Sequence, residues 1–462
     1  MLIYIDVQKV GDMHKQTSAQ ALGVDNIGKL LFEYSLPAII AMTASAMYNI
    51  IDRIFIGNGV GPLAISGLAL TLPVINMGIA LGALVGAGSA ALSSIRLGER
   101  RPEEAIKILG NTLVLNLILS ISYSVIMLIF LKEILIFFGA SADTLPYAYD
   151  FMFVILIGNV FNHLFLGFNN IMRAVGFPVR AMKTMLLSVG LNIVFAPIFI
   201  FALKLGIKGA ALATVIASTS GFIYTMIHFT DKKNDVSFTK GCFKLDIQII
   251  KDIFAIGMSP FFINLLSSVM AIVVNRRLVQ YGGDYAVGAF GIIFAIIMFT
   301  VLIVLGLTQG MQPIAGYNYG AKQYDRVRLV FKKTVIVATC ITTFCFLMAQ
   351  IFPKYIAMVF TDNEEMISLT AYGMRLLMLI FPLIGFQIVA SNFFQSVGKA
   401  KISVILALSR QVIFLIPGLI ILPHFFGLFG VWVALPIGDF LSVSLAFFLY
   451  KTQMNKILPN QT

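Results

Sequence analysis

Two carboxylates fall well inside long apolar runs, Asp52 and Asp439, while nearly all the other acids sit in polar gaps or at run ends. A carboxylate in an apolar medium is costly, so it has a partner or a task. Ser45, Tyr48, Asn49 and Asp52 are spaced so that one face of a helix carries all four. A carboxylate in a cavity with such neighbours can exchange a proton or hold Na⁺, and either event competes with a cationic substrate. Arg53 follows directly, so an Asp52–Arg53 pair near the outer surface is the alternative. Arg410 lies in the run before Asp439, at a depth within a side chain's reach, and a structural pair is expected there. Pro37 removes a backbone bond from the helix of Asp52 and permits a bend.

A second polar set recurs along one side of the fourth apolar run: Asn159, Asn162, His163, Asn169, Asn170 and Arg173. The tenth run carries Gln387, Ser391, Asn392 and Gln395 at equivalent depths. Such amides either bond helix to helix or line a cavity, and spacing leaves both open. His163 is a proton-relay candidate, or a histidine satisfied between helices. The 21 methionines fill apolar cores and adapt well to varied ligands, and spacing does not separate the two uses.

The elements that must hold these groups are membrane helices. The chain is 59% hydrophobic and 12% charged, against about 25% charged in soluble domains. This excludes an ordinary soluble enzyme, a disordered chain and a fibrous one. A membrane helix needs about 20 apolar residues. Such runs lie near 34–56, 66–93, 108–131, 147–172, 184–203, 207–229, 252–275, 285–315, 334–352, 367–395, 402–423 and 428–450. The net charge of +12 does not point to nucleic acid, because the basic residues sit in short gaps between these runs. With both termini inside, Lys and Arg favour the inner face by about three to one, so both termini are expected in the cytoplasm. The first 30 residues lack the features of a signal peptide. Cys242, Cys340 and Cys345 form no CxxC and read as small buried hydrophobes.

The chain also repeats itself. Pro37 and Pro260 open comparable runs, and LGER (97–100) matches YGAK (319–322). NNIMRAVG (169–176) matches SNFFQSVG (391–398), and LGIKGAALA (205–213) matches FGLFGVWVA (426–434), all at shifts of 221 to 223. Six runs per half make the repeats parallel, about an axis along the membrane normal, an arrangement used for alternating access. The expected organisation is an N-terminal cytoplasmic segment 1–30, an N-lobe 31–229, a linker 230–250, a C-lobe 251–452 and a tail 453–462. No phosphate-binding loop, metal-spaced cluster, catalytic set or channel filter is present, so no cofactor is expected and an ion gradient is the remaining candidate for the energy source.

DRIFIG (52–57), NIMRAVG (170–176), TQGMQPIAGYNYGAK (308–322), RQVIFLIP (410–417) and FGLFGVWVALPI (426–437) resemble the multidrug and toxic compound extrusion (MATE) family over about residues 28–452. In detail the chain is most similar to the MepA-like group, nearer the DinF-like branch than the NorM-like one. The resemblance implies an all-α protein of twelve transmembrane helices, two six-helix lobes in a V-shaped bundle. It implies an exporter of amphipathic, often cationic compounds by antiport with H⁺ or Na⁺, multi-pass in the bacterial plasma membrane and expected as a monomer. Asp52 matches the first-span acid of ion coupling, Pro37 the proline where that helix bends, and Tyr48 the tyrosine one turn earlier. Asn169 matches a polar fourth-span position. Asn192 matches the asparagine of an NxxxDPxxI pattern, and Thr214 a sixth-span threonine. The chain departs from that pattern with Ala196 where Asp is usual, and the repeat partner of Asp52 is Asn275. Asp52, Asn192 and Thr214 make a thin oxygen shell for Na⁺, which favours H⁺. The expected substrate cavity is formed by Tyr48, Asn49, Asn162, His163, Asn169, Gln387 and Asn392. The alternative within the same superfamily is a flippase for lipid-linked precursors, which the twelve spans and the few mid-span cations argue against.

Overall fold

In lipid every backbone N–H and C=O of an apolar run must be satisfied within the protein, and a helix does this locally. The computed structural model describes residues 19–459, apart from the side chains of residues 268 and 284, and no strand occurs among the described residues. Lys9 and Lys15 of the N-terminal segment and residues 460–462 of the tail lie outside them. Among the described residues ten helices are long and apolar enough to cross a membrane, and eleven if the 55° bent pair Glu364–Leu377 and Phe381–Ser396 is one span. The run Ala400–Ile457 breaks at Gly427, where φ 55° and ψ −136° are not helical, and its two parts bring the total to twelve.

The N-terminal half contains α1 (Ile27–Gly59), α2 (Pro62–Gly98), α3 (Pro102–Ile129), α4 (Leu145–Ala174), α5 (Pro178–Ala202) and α6 (Ile207–Thr230). The C-terminal half contains α7 (Ile247–Gly283), α8 (Tyr285–Gly320), α9 (Tyr324–Ile351), α10 (the bent pair), α11 (400–426) and α12 (428–457). Several helices start well before their apolar stretch. Asn26 caps α1 by accepting from Gly28 N at 2.8 Å, and Asp246 caps α7 by accepting from Gln248 N at 2.9 Å. Polar first turns such as residues 324–333 of α9 carry no hydropathy signal, which explains the later starts expected from sequence.

The repeat is written into the turns. Left-handed φ values occur in pairs at Gly61 and Gly283, Arg100 and Lys322, Gly176 and Gly398, and Gly206 and Gly427. Gly206 and Gly427 share almost the same backbone, φ 58° and ψ −135° against φ 55° and ψ −136°. That region is open essentially only to glycine. The two lobes therefore reverse direction by the same local geometry.

Packing divides the molecule slightly differently from chain order. Leu22, just before α1, and Ile27, Leu30, Leu31 and Tyr34, at its start, belong to the C-lobe core around Phe331, Phe393 and Trp432. Ile249, Ile253 and Ile256, at the start of α7, pack with Val85, Leu92 and Ile108 of the N-lobe. Each lobe's first helix thus begins in the other lobe. Both ends of the described chain dock on one face, here the terminal face. Arg326 donates to the carbonyls of Leu22 at 3.0 Å and Asp25 at 2.7 Å, and Arg328 donates to that of Leu458.

The lobes meet in the half of the molecule nearest this face, through glycines. A side chain at Gly88 or Gly257 would overlap the backbone of Ile253 or Leu84, and one at Gly306 or Gly310 the backbone of Ile39 or Ser35. Arg96 of α2 closes the contact, reaching Glu99 at 2.8 Å, Glu104 at 3.0 Å and Asp252 of α7 at 3.5 Å. The cysteines need one correction. Cys242 is buried and Cys345 half-buried, but Cys340 is exposed on α9, beside exposed Ile336, Val337 and Phe344. An apolar exterior suits a small hydrophobe in lipid as well as a core does.

Candidate functional site

The N-lobe encloses a cavity of about 300 Å³ between α1, α2, α4, α5 and α6. Asp52 reaches it from α1 with Tyr48 and Asn49, in the helical register the spacing requires. Asp52 is 9% exposed, and its Oδ1 has no hydrogen-bond partner among the described residues. Arg53 is exposed and forms no ion pair with Asp52 among the described residues, so the carboxylate is not neutralised by its chain neighbour. A buried oxygen of this kind awaits a proton, a cation or a cationic ligand.

Asn192 and Thr214 lie across the cavity. Asn192 Nδ2 donates to Thr214 Oγ1 at 3.1 Å, and Thr214 Oγ1 donates to its own helix at Ala210 O, 3.2 Å away. The Tyr48 side chain faces both Asp52 and Thr214. Asn49 Nδ2 donates to Ser45 O of its own helix at 2.7 Å. Ala196 is fully buried in an apolar cluster with Ile56, Ala210 and Ala213. No second carboxylate comes from that position, so the oxygens that line the cavity with Asp52 are neutral ones, amides such as Asn49 and Asn192 and hydroxyls such as Tyr48 and Thr214.

The structure separates the remaining candidates. Asn162 lines the cavity, and so does Asn159, whose Nδ2 lies 3.4 Å from Ser124 Oγ. His163 does not. It is 1% exposed and packs against Gly78 and Gly82 of α2. Asn169 lies nearer the terminal face, where its Nδ2 donates to Ala181 O at 2.7 Å and Thr184 Oγ1 at 2.6 Å. Gln387 is buried in the C-lobe, and Asn392 donates to Ile388 O of its own helix at 2.9 Å. Neither borders the N-lobe cavity. Pro37 is buried within an uninterrupted α1, so the missing N–H leaves the helix continuous in this conformation. In the C-lobe, Arg410 Nε donates to Asp439 Oδ1 at 2.8 Å, from a π-helical segment, Ser409–Leu415.

Two contacts had no sequence expectation. Arg173 is 8% exposed, donates to Asn169 Oδ1 at 3.0 Å and crosses to Gln309 Oε1 of α8 at 2.5 Å. Tyr123 of α3 borders the cavity and donates to Val74 O at 2.5 Å. Each joins helices far apart in the chain, so no local pattern marks it.

With this geometry in place, the comparisons are consistent with one another. The MatE family model matches twice, over residues 37–198 and 260–420, the two halves of the repeat. The chain is 30% identical over 432 residues to the multidrug export protein MepA of Staphylococcus haemolyticus (strain JCSC1435), covering 94% of this chain and 95% of that protein. Among solved structures, the MATE multidrug transporter DinF-BH in complex with rhodamine 6G is 39% identical, with a TM-score of 0.89 over 97% of this chain and 100% of that one. A MATE protein in a bent conformation is 27% identical, with a TM-score of 0.90 over 95% and 98% of the two chains. Twelve helices in two repeated lobes and a family match on both halves lead to one conclusion: the chain belongs to the MATE family, and is a transporter of the membrane, not an enzyme.

Proposed function

We propose that this transporter is a proton-coupled antiporter for amphipathic organic cations, and that Asp52 is the group at which proton and substrate compete. The observation that carries this reading is the unpartnered Asp52 oxygen in the N-lobe cavity. One carboxylate offers one negative charge. A bound cation keeps it ionised, and a proton removes the charge that holds the cation. Coupling follows if both cannot be held at once. The single carboxylate and the apolar setting of Ala196 favour a proton over Na⁺, which prefers six or more oxygens in the manner of other hard cations.

The cavity walls of Leu, Ile, Phe and Met give apolar area between the polar groups, which suits amphipathic aromatic substrates. In this reading the terminal face is cytoplasmic, following the Lys and Arg bias, and the lobes closed there leave the site accessible from the opposite side. Alternating access then requires the glycine contacts and the Arg96–Asp252 pair to open. The protein is expected to act as a monomer in a bacterial plasma membrane.

The test is rhodamine 6G movement in proteoliposomes under an imposed pH gradient and then an imposed Na⁺ gradient, for wild type and Asp52→Asn. The expected result is dye movement with the pH gradient alone, lost in Asp52→Asn. Equal transport by Asp52→Asn with unchanged pH response would sink the assignment. Movement with Na⁺ alone would replace the proton as the coupling ion.

A further inference from the structure

The N-lobe contains a second polar feature that the cavity does not explain. Along α2 run Gly78, Gly82, Gly86, Ser89 and Ser93, along α3 Thr112, Asn116, Ser120 and Ser124, and along α4 Asn159, His163, Gly167 and Asn170. These three faces meet. Side-chain space at Gly78 is bounded by Tyr123, His163 and Asn159, at Gly86 by Asn170 and Gly167, and at Gly167 by Asn116. Thr112 Oγ1 donates to Ser89 Oγ at 2.7 Å. The seam starts at the Asp52 cavity, which Gly78, Tyr123 and Asn159 also line, and runs toward the terminal face.

Three of its members are buried and unpartnered. His163 and Asn116 are each 1% exposed and Ser93 is fully buried. Neither ring nitrogen of His163, neither amide atom of Asn116 and not the hydroxyl of Ser93 has a hydrogen-bond partner among the described residues. The Gly78 carbonyl faces the His163 ring without the geometry of a bond. Burying a polar group without a partner costs a few kcal/mol, and five such atoms along one seam call for a ligand that donates and accepts. Buried water is the ligand of that chemistry, making about three bonds per molecule.

The C-lobe provides an internal control. At the 222-residue shift, Asn116 becomes Ala338, His163 becomes Gly385, Ser93 becomes Ala315, Gly167 becomes Val389 and Asn159 becomes Phe381. The same helices still pack, since side-chain space at Gly385 is bounded by Ala338 and Thr342. The C-lobe therefore closes this junction with hydroxyls bonded to carbonyls, as Thr342 is to Ala338 O at 3.0 Å and Pro382 O at 3.3 Å, and the unpartnered polar groups of the N-lobe are not a packing requirement.

We propose that α2, α3 and α4 of the N-lobe hold a file of bound water, continuous with the Asp52 cavity, along which protons exchange between Asp52 and the terminal face. The role in proton exchange rests on the proton-coupled reading above; the hydration does not. His163 is the titratable group in the middle of the file. Facing it, α2 presents glycines and serines and α3 presents Tyr123, so no charged side chain neutralises it. Toward the terminal face the Ser89–Thr112 hydroxyl pair interrupts open water, and a proton passes only when those hydroxyls turn. That narrow point limits leak while the cavity faces the other side.

Hydration is tested by millisecond X-ray radiolytic labelling of the wild-type protein in nanodiscs, where bound water yields hydroxyl radicals in place. His163 and Tyr123 are expected to be oxidised despite their burial, at rates well above buried aromatic residues of the C-lobe such as Phe381. Unlabelled His163 would overturn the water file. The route is tested with the double variant Asn116→Leu, His163→Leu, which dries the seam, and with His163→Gln, which keeps it polar. Equilibrium rhodamine 6G binding reports folding. The expected result is roughly tenfold slower substrate-driven proton flux in the double variant, with His163→Gln between the two, since it keeps the water and loses the titratable ring. Wild-type flux in the double variant overturns the route. No proton flux in wild type itself overturns the coupled reading and the route together, while the labelling still decides hydration.

Discussion

Asp439 and Asp52 are the two carboxylates buried within spans, and the molecule treats them oppositely. Asp439 is held by Arg410 at 2.8 Å, and Asp52 keeps a free oxygen. Removing one partner of a buried pair costs about 3–5 kcal/mol, and Asp439→Asn is expected to destabilise the protein because it leaves the Arg410 guanidinium without its carboxylate. The double variant Arg410→Met, Asp439→Leu, by contrast, is expected to recover most of the loss. Thermal unfolding of wild type, Arg410→Met, Asp439→Leu and the double variant in one detergent checks this as a double-mutant cycle; a loss in the double variant equal to the sum of the two single losses would show that the pair does not matter. In the cavity, Asn192→Leu removes the 3.1 Å bond to Thr214 and costs about 1 kcal/mol. It is also expected to shift the pH dependence of rhodamine 6G efflux, because it changes the polar groups beside Asp52. A buried charge in an apolar run is rare enough to be legible in sequence, which is why Asp52, Arg410 and Asp439 stand out there. The side of a neighbouring residue is not: Asn162 lines the cavity while His163, one position on, faces α2. A single helical step turns the side chain by about 100°, and the rotation of a helix about its axis is fixed only by its neighbours.

At the scale of elements, glycines do two kinds of work, and substitution separates them. Gly206 and Gly427 hold the same non-helical turn in the two lobes, and alanine at either is expected to cost roughly 1–3 kcal/mol. Gly190 lies in the middle of α5, exposed, with nothing near the place a Cβ would take. Gly190→Ala should therefore stabilise the protein by about 0.4–1 kcal/mol, by restricting the unfolded chain. Unfolding midpoints for Gly190→Ala, Gly206→Ala and Gly427→Ala order the three; a Gly427→Ala protein as stable as wild type would mean that the turn relaxes elsewhere. Most of these elements are legible in the sequence, because apolar runs of this length admit one structure in lipid. The bend of α10 between Leu377 and Phe381 is marked by a run longer than a span needs and by Pro382 at the start of the second segment; the π-helical segment of α11 around Arg410 leaves no such mark. That segment is an adjustment to neighbouring helices, made where packing outweighs local preference.

At the scale of the whole molecule, the exchange of α1 and α7 between lobes ties opening to those helices. Their first halves sit in the opposite lobe and their second halves in their own, so the lobes cannot part on the terminal face without moving both. The sequence repeat implies two lobes but not this exchange, which arises from contacts hundreds of residues apart. The closed contact itself depends on backbone touching backbone: Gly257 lies against Leu84, and Ser94 is fully buried beside Gly316. Gly257→Val places a branched side chain where the Leu84 carbonyl stands, so the contact cannot form and the equilibrium moves toward a state open on that face. The consequence is measurable in a protein whose three cysteines are replaced and which carries Ser94→Cys alone. That thiol is expected to react slowly with a maleimide when the lobes are closed, and roughly tenfold faster or more once Gly257→Val is added, the ratio that about 1.4 kcal/mol of shifted equilibrium produces. Rhodamine 6G export should fall in the same variant, because a transporter held open on one side cannot complete its cycle. If Ser94→Cys stays protected and export is unchanged, the glycine contacts are not the closure of that face, and the lobes must separate along some other surface.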